Sequence, residues 1–168
     1  MSIEDSEKKF EELVKKYEEK NYIYSIIYID MHGNNEDDVK NLLVELLTRI
    51  NKEDGLIAYF GKILVPIKEN EIVSTTAEVK LLTKDLLSLS RICNKYTPFA
   101  IEIIRPEKYE INANEIALIL LESSNQIYKY SEYIIKNSLD IDKLKKYLQE
   151  QENRKLLGKK LLEKVEQK

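Results

Sequence analysis

Few side chains in this chain could do chemistry, and each has a plainer structural use. The one histidine, His32, lies near Asp30, Asp37 and Asp38, and carboxylates with an imidazole can bind a divalent ion. Their spacing is not a ligand signature. Asp37 and Asp38 equally suit the first turn of a helix, where the dipole favours acids, so no metal is expected. The one cysteine, Cys93, falls on the apolar stripe of a predicted helix, the place of a small core residue and not of a nucleophile. Glu78 and Glu102 sit on predicted strands and would make an acid/base pair if they faced each other. Glutamates on neighbouring strands more often pair with cations such as Lys62, Lys80 or Arg105. There is no phosphate-cradling glycine loop, and the lone histidine has no evident support for a Ser-His-Asp set. The expectation is therefore no catalytic residue and no cofactor.

The elements that would position these residues are legible from periodicity. Phe10, Leu13, Val14 and Tyr17 mark an N-terminal helix within residues 4–20. Residues 22–31, YIYSIIYIDM, are dense in β-branched and aromatic side chains and read as a strand. After the polar turn at 32–35, Val39, Leu42, Leu43, Leu46, Leu47 and Ile50 define a helix. Residues 56–65 and 72–81 read as a hairpin with a medium loop at 66–71, and Gly61 as a bulge. Thr83 is the expected cap of a helix carrying Leu86, Leu89, Cys93 and Tyr96, which Pro98 ends. Residues 99–104 read as the last strand. Asn112 with Glu115 opens a helix by capping-box logic, with Ile116, Leu120, Ile127 and Ile134 on one side. Residues 139–166 form a final, more polar helix.

The β-α-β-β-α-β order predicts an α+β fold with a ferredoxin-like antiparallel sheet, strand order 4-1-3-2, and both intervening helices on one face. An N-terminal helix and two C-terminal helices are added. The expected division is a domain over 1–137 and a basic helical extension over 138–168.

Alternation then assigns the other face of the sheet. It would hold Tyr24 and Tyr28 flanked by Glu78 and Glu102, with Thr76 alongside. A base-stacking platform fits poorly, because carboxylates there repel phosphates. Packing against helices or a second copy fits best, since tyrosine buries area while keeping a polar tip. A small ligand bearing donors or positive charge is the alternative.

Composition bounds the remaining choices. Of 168 residues, 43% are hydrophobic and 34% charged, a globular balance. No apolar run is long enough to cross a bilayer, and residues 1–12 lack the apolar core of a secretory signal. A single cysteine suits a reducing compartment, so the cytoplasm is expected. Abundant Lys, Glu and Ile without Trp point to a thermophile. The net charge of -3 is uneven. Residues 143–168 hold nine basic and four acidic residues, a local net of about +5, leaving about -8 on the body. Lys145, Lys146, Arg154, Lys155, Lys159 and Lys160 are thus the possible contacts for a polyanion, though nucleic acid is otherwise not an expected partner.

Residues 74–111 resemble a family of uncharacterised conserved archaeal proteins. The shared pattern is Ser74-Thr75-Thr76-Ala77-Glu78-Val79, a helix, then Tyr96, Pro98, Ile101, Glu102, Ile103, Ile104 and Pro106. The segment is also similar to the ferredoxin-like ligand-sensing extension of WYL-type bacterial regulators. The resemblance implies a fold and a regulatory lineage, and it transfers no catalytic residue. The function expected on these grounds is a non-enzymatic interaction or regulatory domain that self-associates as a dimer. It would do so through the open sheet face or the terminal helices. A small-ligand sensor is the alternative, and a nucleic-acid accessory protein acting through the basic helix is the second.

Overall fold

The chain is described by a computed structural model covering residues 3–17 and 22–166; within the last helix, side chains are described to Leu157 except Lys155. It is an α+β structure with a five-stranded antiparallel open sheet and five helices among the described residues. The elements are α1 (Ile3–Lys16), β1 (Ile23–Gly33), α2 (Glu36–Ile50), β2 (Leu56–Ile63) and β3 (Ile67–Glu69). They continue as β4 (Ile72–Thr83), α3 (Leu86–Tyr96), β5 (Ala100–Arg105), α4 (Ala113–Ser138) and α5 (Ile141–Glu166). Four strands lie in the order β2-β4-β1-β5, and β3 pairs with β4.

Strand β3 is the element that periodicity misses. The chain leaves β2, passes Pro66, which cannot donate to a ladder, and rejoins the same side of β4 with Ile67 opposite Ser74. The expected medium loop is in fact a tight turn. Glu69 pairs with Ile72, and Asn70 takes the positive φ of 55° that such a turn needs. The irregularity in β2 lies between Leu56 and Ala58, not at Gly61. Gly61 instead lets α2 approach closely, since a Cβ there would meet Leu47 Cδ2 at 3.0 Å.

One sheet face carries the main core. Ile23, Ile27 and Ile29 of β1 and Ala77, Val79 and Leu81 of β4 pack with Leu43, Leu47 and Ile50 of α2 and Leu89 and Ile92 of α3. Asn35 caps α2, its side-chain oxygen accepting from the Asp37 and Asp38 amides at 2.8 and 3.1 Å. Helix α3 is capped by Asp85, whose carboxylate accepts from the Ser88 amide at 2.8 Å. Thr83, the expected cap, still belongs to β4 and is buried. Asn112 accepts from the Glu115 amide at 2.9 Å and opens α4.

The backbone divides into two compact units, residues 1–123 and 124–168. The first holds the sheet, α1 to α3 and the start of α4. There Arg91 donates twice to Glu122, at 2.7 and 2.6 Å, and Asn94 donates to Ser123 at 2.9 Å. The second unit holds the rest of α4 and α5. Tyr128 donates to Gln151 at 3.0 Å. These residues stand equally far from the 139–140 connection, as an antiparallel helical hairpin requires.

The core makes two opposite predictions. Leu43→Ala, at a fully buried position, should cost about 3 kcal/mol in chemical denaturation. Ser25 is equally buried but its hydroxyl has no hydrogen-bond partner among the described residues, so Ser25→Ala should be neutral or stabilise by up to about 1 kcal/mol.

Candidate functional site

The second sheet face is shared between a covered half and an uncovered half. On the covered half, α1 packs Phe10 and Val14 against Tyr24, Phe60 and Leu82. The Phe10 and Tyr24 rings meet edge-on with centroids 5.5 Å apart. Lys80 reaches up from β4 and donates to Glu7 at 2.7 Å and to Glu11 at 3.1 Å. Burial works against its charge, but these two hydrogen bonds outweigh that cost and raise the Lys80 pKa above the ordinary lysine value. The bond and charge from Lys80 hold Glu7 below the usual carboxylate range. Tyr24 donates to Glu11 at 3.3 Å, and burial followed by the Glu11 charge pushes its phenol up.

The uncovered half holds Tyr28, Asp30 and His32 of β1, Ser74, Thr76 and Glu78 of β4, and Glu102 of β5. The register sets them out in rows. Tyr28 lies opposite Glu78, Asp30 opposite Thr76, and His32 opposite Ser74. Glu102 is opposite Ile26, on the other side of β1, and Lys62 of β2 is opposite Glu78. Tyr28 donates to Glu102. Partial desolvation, then the Glu102 charge and hydrogen bond, then the Glu78 charge, push the Tyr28 phenol up. Phe99, exposed, lies 6.2 Å from the Tyr28 ring.

Of the face expected from the sequence, Tyr28, Thr76, Glu78 and Glu102 thus share one surface. Tyr24 does not join them, because α1 covers it. What sequence reasoning missed is the support around His32. Its Nε2 is 2.7 Å from Asp30 Oδ2 and its Nδ1 is 2.7 Å from Ser74 Oγ. The Asp30 contact was available from i, i+2 spacing on a strand. The Ser74 contact, 42 residues away, needed the register.

Six other expected positions can be placed. Cys93 packs beside the main core, and burial pushes its thiol up to about 11. Lys145, Lys146 and Arg154 are exposed on α5, whereas the side chains of Lys155, Lys159 and Lys160 lie outside the described residues. Asp37 and Asp38 serve the α2 N-terminus, apart from the His32 contacts.

A sheet with helices packed on one face and half covered on the other, carrying a polar row on the remainder and a helical hairpin at its C-terminal end, defines the class: an α+β domain with an appended helical unit. A family model matches residues 24–164, so the chain belongs to the MJ0538 family, an uncharacterised, archaeal-named family. That agrees with the resemblance carried by residues 74–111. No curated protein and no solved structure matches the chain. No described helix is long and apolar enough to cross a membrane.

Two measurements check this description. Lys80→Ala should lower stability by about 1 kcal/mol at neutral pH, a modest value because Glu7 and Glu11 are about two-fifths exposed. Glu7 is depressed, so its contribution is full above the ordinary carboxylate range and is lost as pH falls through its lowered pKa. The gap between wild type and variant should therefore close in acid, as read from denaturation at a series of pH values. Separately, Cys93 in the folded protein should react with iodoacetamide at pH 8 at least about tenfold more slowly than in the unfolded chain, because little thiolate is present.

Proposed function

We propose that this protein is an interaction or regulatory domain on a ferredoxin-like plan, and that it self-associates as a dimer through its terminal helices. The observation that carries this reading is the surface of α4. It has 26 residues and none is buried. Ile116, Leu120, Ile127 and Ile134, one stripe of that helix, are exposed by 42, 64, 66 and 62%. Such a stripe destabilises an isolated chain and is the normal mark of an interface.

The occupant that fits is a second copy. A two-helix hairpin has no third layer to close over its apolar side. Two such hairpins related by a two-fold axis make a four-helix bundle, with each covering the other's stripe. In the second unit Ile127, Tyr128, Tyr130, Tyr133, Ile134, Ile141, Leu148, Leu156 and Leu157 are exposed by 42–73%. At about half a large side chain each, they offer on the order of 800 Å², the area one partner contributes to a standard interface. The open sheet face is the weaker candidate, because α1 occupies half of it.

A second reading, a small-ligand sensor, has the uncovered half of the sheet in its favour, where Tyr28, Thr76, Glu78 and Glu102 gather. The lone, desolvated cysteine supports a reducing, cytoplasmic setting.

Light scattering coupled to size exclusion should give about twice the 19.8 kDa chain mass at micromolar concentration. Ile127→Glu with Ile134→Glu should shift it to the chain mass while circular dichroism keeps its strand signal. A wild-type protein that runs at the chain mass at that concentration removes the proposal.

A further inference from the structure

The uncovered half of the sheet holds a hydrogen-bonded chain of three groups whose direction can be worked out from acid–base chemistry. Asp30 as a carboxylate can only accept. The His32 nitrogen beside it, Nε2, must therefore carry the ring proton and donate across the 2.7 Å contact. In the neutral ring the other nitrogen, Nδ1, is then an acceptor. The Ser74 hydroxyl, 2.7 Å away, donates to it. A serine hydroxyl whose proton already points at an imidazole, itself fixed by a carboxylate, is the arrangement of an activated nucleophile.

Two features make this more than a chance contact of surface groups. The backbone sets it: His32 and Ser74 are register partners on β1 and β4, and Asp30 shares the His32 face two residues away. It is also open to reagents. The His32 and Asp30 side chains are 57 and 45% exposed, and α1 covers the other half of the face. Along the same rows from Ser74 lie Thr76, then Tyr28 with Glu78. Carboxylates on that path favour a neutral or cationic substrate over an anionic one.

We propose that Ser74 is a nucleophile with His32 as its general base and Asp30 as the residue that positions the ring, and that this surface transfers acyl groups from activated, non-anionic esters to water. This goes beyond the interaction role and does not depend on it. Ser74 Oγ attacks the ester carbonyl carbon as His32 Nδ1 takes the hydroxyl proton. The C–O bond to the leaving group breaks, and that group either takes the proton from His32 Nδ1 or departs as a phenoxide while Nδ1 releases its proton to solvent, so that the ring is neutral again. Water then attacks the acyl-serine as His32 Nδ1 takes its proton; the acyl C–Oγ bond breaks, Nδ1 returns that proton to Ser74 Oγ, and the carboxylic acid is released. The net change is ester plus water to acid plus alcohol. Activated esters are specified because their leaving groups need little protonation, whereas amides require it.

The test is labelling of the full-length protein with an uncharged fluorophosphonate, followed by intact-mass and peptide mapping, with p-nitrophenyl acetate turnover in parallel. The expected result is a single adduct on Ser74, none in Ser74→Ala, and labelling about 100-fold slower in His32→Ala. Added imidazole should restore part of the His32→Ala rate, which a merely structural role for His32 would not allow. Absence of an adduct on Ser74 overturns the proposal, as does an equal rate in wild type and His32→Ala.

Discussion

Every other element leans on the antiparallel ladder between β1 and β4, eleven residue pairs from Ile23 with Thr83 to Gly33 with Val73. Side chains alternate with period two, so this register decides which residues face α2 and α3 and which face the opposite side. A slip by one would place Tyr24, Tyr28 and Lys80 in the main core and expel Ile27 and Val79. The aliphatic set on one face is buried so completely that no such slip can compete: Ile27, Ala77, Val79 and Leu81 have no exposed surface. The same ladder juxtaposes His32 with Ser74, Tyr28 with Glu78 and Tyr24 with Leu82. Polar surface and aliphatic core are thus two readings of a single register.

The opposite face shows how a sheet can be closed by one short helix only in part. Helix α1 has 14 residues, and among its described side chains the fully buried ones are Phe10 and Val14. Two side chains reach Tyr24, Phe60 and Leu82 but not the far end of the strands. The charged contacts follow the same boundary. Lys80 can be desolvated because Glu7 and Glu11 come down with the helix to meet it. Two pairs further along the ladder, Glu78 lies half-buried beside Tyr28, outside the cluster that α1 covers among the described residues. The cover stops between those two rows, and the chemistry of the face changes there.

The helices after β5 follow a different logic. The main core is complete without them: its fully buried members all come from residues 23–92. Helix α4 meets α3 through Glu122 and Ser123, but its stripe of Ile116, Leu120, Ile127 and Ile134 stays exposed, so that stripe is surplus to the fold of the first unit. Residues that a fold does not use internally are the ones available to hold a partner.

Much of this was determined by the sequence alone. Strong period-two and period-3.6 patterns located the four long strands and the helices, because each buries one face and the chain records that face. The membership suggested by residues 74–111 also came from local pattern. The pieces not legible were those whose cause is long-range. Strand β3 is three residues, too short to show a period, and exists because β4 has an open side there. Asp85 caps α3 because β4 continues to Thr83 by pairing with β1 and β2, a contest between ladder and cap that local propensity cannot judge. Tyr24 and Tyr28 are identical in sequence logic; tertiary packing separates them by putting α1 over one and leaving the other open. His32 looks unsupported in one dimension because its serine partner is 42 residues away, and only strand pairing brings the two within hydrogen-bond reach. Alternation told which face each side chain takes, and the three-dimensional structure decided what stands over that face.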